Sequence, residues 1–150
     1  MKIIFGTEKK EIIRRLEHYG IEKVPFLLIR YGKDKIRGYS GALSKEEIFE
    51  INRLTKNDLI GIYLFNDERD EIRLSLDALH LFKDQITKSI LDLNDEQAKA
   101  WFMGEELPSE LWKNEKTGFK VIRNRGDFIG CGKLVENRLI NYLPKERRIK

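Results

Sequence analysis

The residues of this 150-residue chain whose types and spacing suit chemistry gather in its last third. Gly130-Cys131-Gly132-Lys133 sets a thiol and an ammonium among glycines, the makings of a phosphate loop or of an activated nucleophile. The phosphate loop fails on spacing, because its first glycine falls on Asp127, its Ser or Thr falls on Leu134, and no helix pattern follows. A dinucleotide fingerprint fails as well, since Val135 stands at its third glycine. Lys133 is placed to lower the Cys131 pKa, but no histidine lies near in sequence to serve as a base. His18 and His80 lie far apart, and with one cysteine they make no zinc-ligand set. The carboxylate pairs Glu46-Glu47 and Glu105-Glu106 fall in a helix first turn and a loop, where the helix dipole and solvent account for them. The expectation is a protein with no catalytic residue, no metal and no cofactor.

What remains is binding. Between Gly118 and Arg148 stand Lys120, Arg123, Arg125, Lys133, Arg138, Lys145, Arg147 and Arg148, candidates for contacts to phosphate. Charge is segregated along the chain: residues 1–75 carry 15 Lys+Arg and 13 Asp+Glu (+2), 76–112 carry 3 and 8 (−5), and 113–150 carry 11 and 4 (+7), which sum to the formal +4. A basic third of this kind points to a polyanion as partner. The acidic 76–112 segment supports a second reading, an interaction subunit docked on a basic protein. A third reading is a small enzyme acting on a modified nucleotide through Cys131 and Lys133.

The elements that must position these residues are legible in outline. Thr7 is placed to cap a helix over Glu8 to Tyr19, with Ile12, Ile13, Leu16 and Tyr19 on one face and Gly20 ending it. A hairpin follows from Val24–Tyr31 to Ile36–Tyr39. Ser44-Lys45-Glu46-Glu47 has capping-box spacing and opens a helix whose Ile48, Ile51 and Leu54 face the core. Leu59–Phe65 and Glu71–Leu76 read as strands joined through Asn66-Asp67-Glu68, whereas Asp77–Lys88 fits a short helix or an irregular connection equally well. Ser89–Leu93 is a strand, and Asn94-Asp95-Glu96-Gln97 caps a helix that turns Ala98, Trp101 and Phe102 inward and stops at Gly104. Past a loop over Glu105–Lys116, Asn124-Arg125-Gly126-Asp127 turns a final basic hairpin. No apolar run reaches the roughly 18 residues of a membrane span, and Met1–Phe5 is too short for a signal-peptide core, so no membrane is expected and the setting expected is cytoplasmic. The charged fraction of 36% with little glutamine fits a thermophile.

Three stretches together carry a resemblance: Gln97–Leu107 with its Gly104-Glu105-Glu106-Leu107 end, Gly130-Cys131-Gly132-Lys133, and Asn141-Tyr142-Leu143-Pro144-Lys145-Glu146-Arg147-Arg148. They resemble the PUA-like RNA-binding domain at the C-terminus of the Fmu/Sun family of RNA cytosine 5-methyltransferases. The resemblance departs at Cys131, where the family usually has tryptophan, and at Ile140, often lysine in the family. It implies an α+β fold, a pre-PUA-like α/β domain over residues 1–84 followed by a PUA-like β-barrel over 85–150. The Rossmann domain and catalytic cysteines of the methyltransferases are missing from these residues, so it implies a free-standing, archaeal-type, non-catalytic protein. Its implied partners are structured RNA, rRNA or tRNA, and a separate RNA methyltransferase, in RNA modification or ribosome biogenesis. Alongside the eight cations, the implied RNA-binding residues are Gly130 and Gly132, through exposed backbone at a turn, and Asn141. Phe128 or Tyr142 would stack on bases.

Overall fold

The chain folds as two sheets in a computed structural model that describes residues 1–55 and 59–150. The first half forms β1 (Lys2–Ile4), α1 (Gly6–Leu16), β2 (Leu27–Tyr31), β3 (Lys35–Tyr39), α2 (Lys45–Leu54), β4 (Ile62–Glu68) and β5 (Glu71–Leu74). Its strands pair in chain order, every pair antiparallel. Ile3 and Ile4 are both buried, and Lys2–Ile4 pairs with β2 as an edge strand.

Local signals set most boundaries and miss where tertiary contacts compete. The Ser44 box is present: Ser44 Oγ accepts from the Glu47 amide at 3.1 Å while Glu47 Oε2 accepts from the Ser44 amide at 2.7 Å. Gly20, at φ +91°, ends the short 3-10 turn Glu17–Tyr19 that extends α1. Thr7, however, is not the cap. The helix starts two residues earlier, at Gly6 after Phe5, which offers no capping oxygen, and Thr7 sits in the first turn. In α2 only Ile48 is fully buried, and Leu54 is 70% exposed, because this helix covers the small cluster of Ile3 and Ile29 rather than the main core. The β4–β5 turn lies at Arg69-Asp70, with Arg69 at φ +53°, so Asn66-Asp67-Glu68 belongs to the strand.

The second half contributes α3 (Leu76–Leu81), β6 (Ile90–Asp92), α4 (Asp95–Phe102), β7 (Leu107–Pro108), β8 (Gly118–Asn124), β9 (Asp127–Leu134) and β10 (Arg138–Asn141). Their sheet runs β6-β8-β9-β10-β7, antiparallel except for β6 against β8, and curls into a half-barrel. The fold class is α+β. Arg125 and Gly126 both take positive φ, 51° and 83°, the backbone of a tight two-residue hairpin turn between β8 and β9.

β8 and β9 divide the interior. Phe119, Val121 and Cys131 face a core shared with the first sheet, where Tyr19, Phe65 and Phe82 are buried. Ile122 and Leu134 face the other way, onto Trp101 of α4. The sheets are also joined by polar contacts. His18 Nε2 lies 2.7 Å from the Phe119 carbonyl, which can only accept, so that nitrogen carries the proton. Ser89 Oγ donates to the His18 carbonyl at 2.7 Å, and the Tyr19 hydroxyl donates to the Ile72 carbonyl.

Candidate nucleic-acid interface

Gly130 and Gly132 are not turn residues. Both are buried within β9, and their missing side chains make room for Trp101: a Cβ on Gly130 would lie 3.0 Å from the indole Nε1, and one on Gly132 would lie 2.8 Å from its Cη2. The glycine pair is thus a seat for a ring supplied by α4, and Gly130 also lies on the wall of the cleft near Tyr142 described below. Cys131, between them, points into the shared core. Burial pushes its thiol up to about 11, so it is neutral near pH 7 and lacks the thiolate that nucleophilic attack requires.

Asn141 is likewise committed inward. Its Nδ2 donates to the carbonyls of Trp101 (2.8 Å) and Glu105 (3.0 Å), and its Oδ1 accepts from the Leu143 amide at 2.8 Å. These bonds satisfy the end of α4 and fix the course of the chain after β10. Arg148 completes the clamp. Its Nε donates to the Leu143 carbonyl at 3.1 Å, and its side chain lies over Gly104, where a Cβ would come within 2.6 Å.

Four more of the predicted cations carry a carboxylate. Arg123 grips Asp92 with Nε at 2.6 Å and Nη2 at 2.9 Å, and Arg125 grips Asp95 with Nε at 2.9 Å. Both aspartates are held below the usual carboxylate range by these guanidiniums. Arg138 pairs with Glu106 at 3.0 Å and Lys133 with Glu71 at 3.1 Å. The acidic middle of the chain therefore lies against the basic third. Three of these four pairs use acids from residues 76–112, which weakens both the picture of a uniformly basic hairpin and that of an acidic docking face. Lys120 is only 4% exposed. Of the eight cations, Lys145 and Arg147 alone are exposed and without an ion pair among the described residues.

Arg147 opens onto a cleft of about 190 Å³ between the sheets, where Tyr63, Arg73 and Ser75 of the first half meet Asp77, Tyr142 and Glu146 of the second. The Arg73 guanidinium lies over the Tyr142 ring, 4.6 Å from its centroid, and Phe119 packs edge-on against the same ring. Tyr142 was marked in the sequence as a stacking residue. Tyr63 and Arg73 carry no signal there, because β4 and β5 bring them to the cleft from positions 79 and 69 residues before Tyr142. Cations and carboxylates balance in this cleft, and its planar groups set it apart from the rest of the surface.

A helix-capped, curled sheet joined to a second antiparallel sheet through a common core defines a PUA-like domain with an α+β companion. Residues 88–149 match the family model described as the methyltransferase RsmF PUA domain, and this segment is a PUA domain of the Fmu/Sun methyltransferase family. The chain is similar to ribosomal RNA small subunit methyltransferase F of Aeromonas salmonicida (strain A449), 30% identical over 91 residues, which is 59% of this chain and 18% of the relative. The protein of the same name from Aliivibrio fischeri (strain ATCC 700601 / ES114) is 30% identical over 87 residues, 58% of this chain and 18% of the relative. That from Vibrio atlanticus (strain LGP32) is 41% identical over 58 residues, 39% of this chain and 12% of the relative. The chain thus spans less than a fifth of the length of these relatives. They are bacterial and lend no support to the archaeal and thermophile expectations. Among the described residues no helix is long and apolar enough to cross a membrane, and no group of His, Cys, Asp and Glu is placed to hold a metal ion.

Proposed function

We propose that this chain is a non-catalytic RNA-binding module acting in ribosomal RNA modification in the cytoplasm, with residues 1–84 as a pre-PUA-like unit and 85–150 as the PUA domain. A separate methyltransferase is the partner that this role requires. The observation that carries the reading is the stack of Arg73 on Tyr142 in the cleft between the sheets, beside Arg147, which has no ion pair among the described residues. Aromatic and guanidinium planes stack on unpaired bases, and base stacking contributes about 1–3 kcal/mol per base. Asp77 and Glu146, on the same walls, are acceptors for the amino groups of a base edge. Ligand pockets commonly span about 300–1,000 Å³, so a cleft of about 190 Å³ suits one base edge rather than a duplex. Lys145 and Arg147 are the phosphate contacts of this surface.

Fluorescence anisotropy with a structured ribosomal RNA fragment, titrated against heparin, tests the reading. Wild-type protein prefers the RNA, and Tyr142→Ala weakens binding by about 1–3 kcal/mol with the fold intact by circular dichroism. Equal affinity for heparin, or an unchanged affinity of Tyr142→Ala, would falsify it.

A further inference from the structure

A second cleft, of about 700 Å³, opens where α1 and its following turn meet the start of β8. Its charge is not balanced. Arg14, Arg15, Lys88, Lys116 and Lys120 line it against Glu17, Asp70 and Glu71, an excess of two positive charges. The carboxylates on Glu17 and Glu71 are already engaged: Glu17 lies 3.8 Å from Lys88, while Glu71 divides its oxygens between Lys133 at 3.1 Å and the Phe119 amide at 3.3 Å. Arg14 is held by Glu11 and Arg15 by Asp67. Lys116 and Lys120 have no ion pair and no side-chain hydrogen bond among the described residues.

Lys120 is the unusual member. The residue is only 4% exposed and has no ion pair among the described residues, and partial desolvation lowers its pKa against the opposing pull of Glu115 and Glu71. β8 dictates this position, because Phe119 and Val121 on either side turn into the shared core, and Lys120 is left facing the cleft wall. A cation whose stem is buried, whose tip lines an open cleft of net positive charge and which has no ion pair among the described residues is completed by an anion with several acceptor oxygens.

We propose that this cleft takes a phosphate group, supplied by the backbone of the bound RNA, with Lys120 at its wall and the exposed Lys116 at its rim. The inference rests on the RNA-binding reading and extends it: the charge-balanced cleft at Tyr142 reads a base, and the positive cleft at Lys120 anchors the strand. Phosphate contacts add roughly 0.7–0.9 to the slope of log affinity against log salt. Wild-type protein therefore loses about threefold more affinity between about 50 and 200 mM salt than a Lys120→Met variant does.

The experiment is that salt titration, paired with a thermal melt. Expected is a shallower slope for Lys120→Met with a melting temperature equal to or above wild type, since methionine removes a desolvated charge at nearly constant volume. A lysine that merely threads its stem along the cleft gives the same melt and an unchanged slope, which overturns the inference and leaves the RNA-binding reading standing. Wild-type protein without affinity for RNA overturns both. Lys116→Gln, at an exposed position, reads the same cleft should the Lys120 variant not fold; here too an unchanged slope overturns the inference. Inorganic phosphate that raises the melting temperature of wild type but not of Lys120→Met, with RNA slopes equal, assigns the cleft to a small free anion and overturns RNA as its source.

Discussion

Gly132→Ala is the substitution that most directly tests the packing behind the family motif. The added Cβ would sit 2.8 Å from Trp101 Cη2, 2.9 Å from the carbonyl oxygen of Ile140 and 3.1 Å from Leu139 Cδ1. Carbon contacts are comfortable at about 3.5–4.0 Å, so the overlap is roughly an ångström against a fully buried ring on one side and the backbone of β10 on the other. The ring has no free space to retreat into, and the carbonyl belongs to the strand that pairs with β9 at Asn141–Gly132. Overpacking of this kind costs about 1–3 kcal/mol, and replacing a strand glycine returns roughly 0.5–1 kcal/mol of it. A net loss of about 1–2 kcal/mol lowers the melting temperature by about 2–8 °C in a chain of this length. Urea unfolding at an unchanged m-value measures it. Gly130→Ala is the internal control, because the three atoms nearest its Cβ all belong to the indole, at 3.0, 3.4 and 3.5 Å. Its loss should be the smaller of the two. A Gly132→Ala protein as stable as wild type, or more stable than Gly130→Ala, would refute the seat as the reason for the glycines.

Further outcomes follow from the same geometry. Asn141→Ala leaves the Glu105 carbonyl and the Leu143 amide without these partners, while the Trp101 carbonyl keeps the Gly104 amide at 2.9 Å, and calorimetry should register a loss of about 2–4 kcal/mol, more than any exposed cation costs when removed. Arg123→Gln and Arg125→Gln together leave the salt dependence of RNA binding near wild type, because those guanidiniums are held by Asp92 and Asp95; Lys145→Gln with Arg147→Gln flattens the slope by about 1.4–1.8, and slopes measured side by side decide between the two sets. Asp92 and Asp95 have depressed folded-state pKa values, so the stability they contribute is present above their usual value near 3.8 and is lost as pH falls below it. Acid unfolding followed by far-ultraviolet circular dichroism should show a weaker dependence below about pH 4 in the double Arg123→Gln, Arg125→Gln protein than in wild type.

Much of the architecture was legible because its signals are local. Ser44 with Glu47 and Asn94 with Gln97 each cap a helix within four residues, and Arg125-Gly126 turns a hairpin within two. The site was only half legible. The cations of the last third were visible as charge, but which of them are free depends on pairings such as β6 with β8, which sets Asp92 opposite Arg123 across 31 residues. Gly130 and Gly132 read as turn glycines for the same reason: the ring that requires them arrives from α4, and spacing along a strand cannot distinguish a bend from a vacancy for a neighbour. Arg73 and Tyr63 lie in a different sheet from Tyr142 and acquire their relation to it only when the two cores merge.

The position of Cys131 gives the molecule a reporter of its own. The sole thiol of the chain lies at the seam of the two sheets, buried, and protonated until about pH 11. Its burial and raised pKa make alkylation slow while the sheets are together, so its labelling rate at mild alkaline pH reports their separation without any engineered probe. If an RNA strand lies across both halves, binding should slow that clock, and the degree of slowing measures how firmly the ligand staples one sheet to the other.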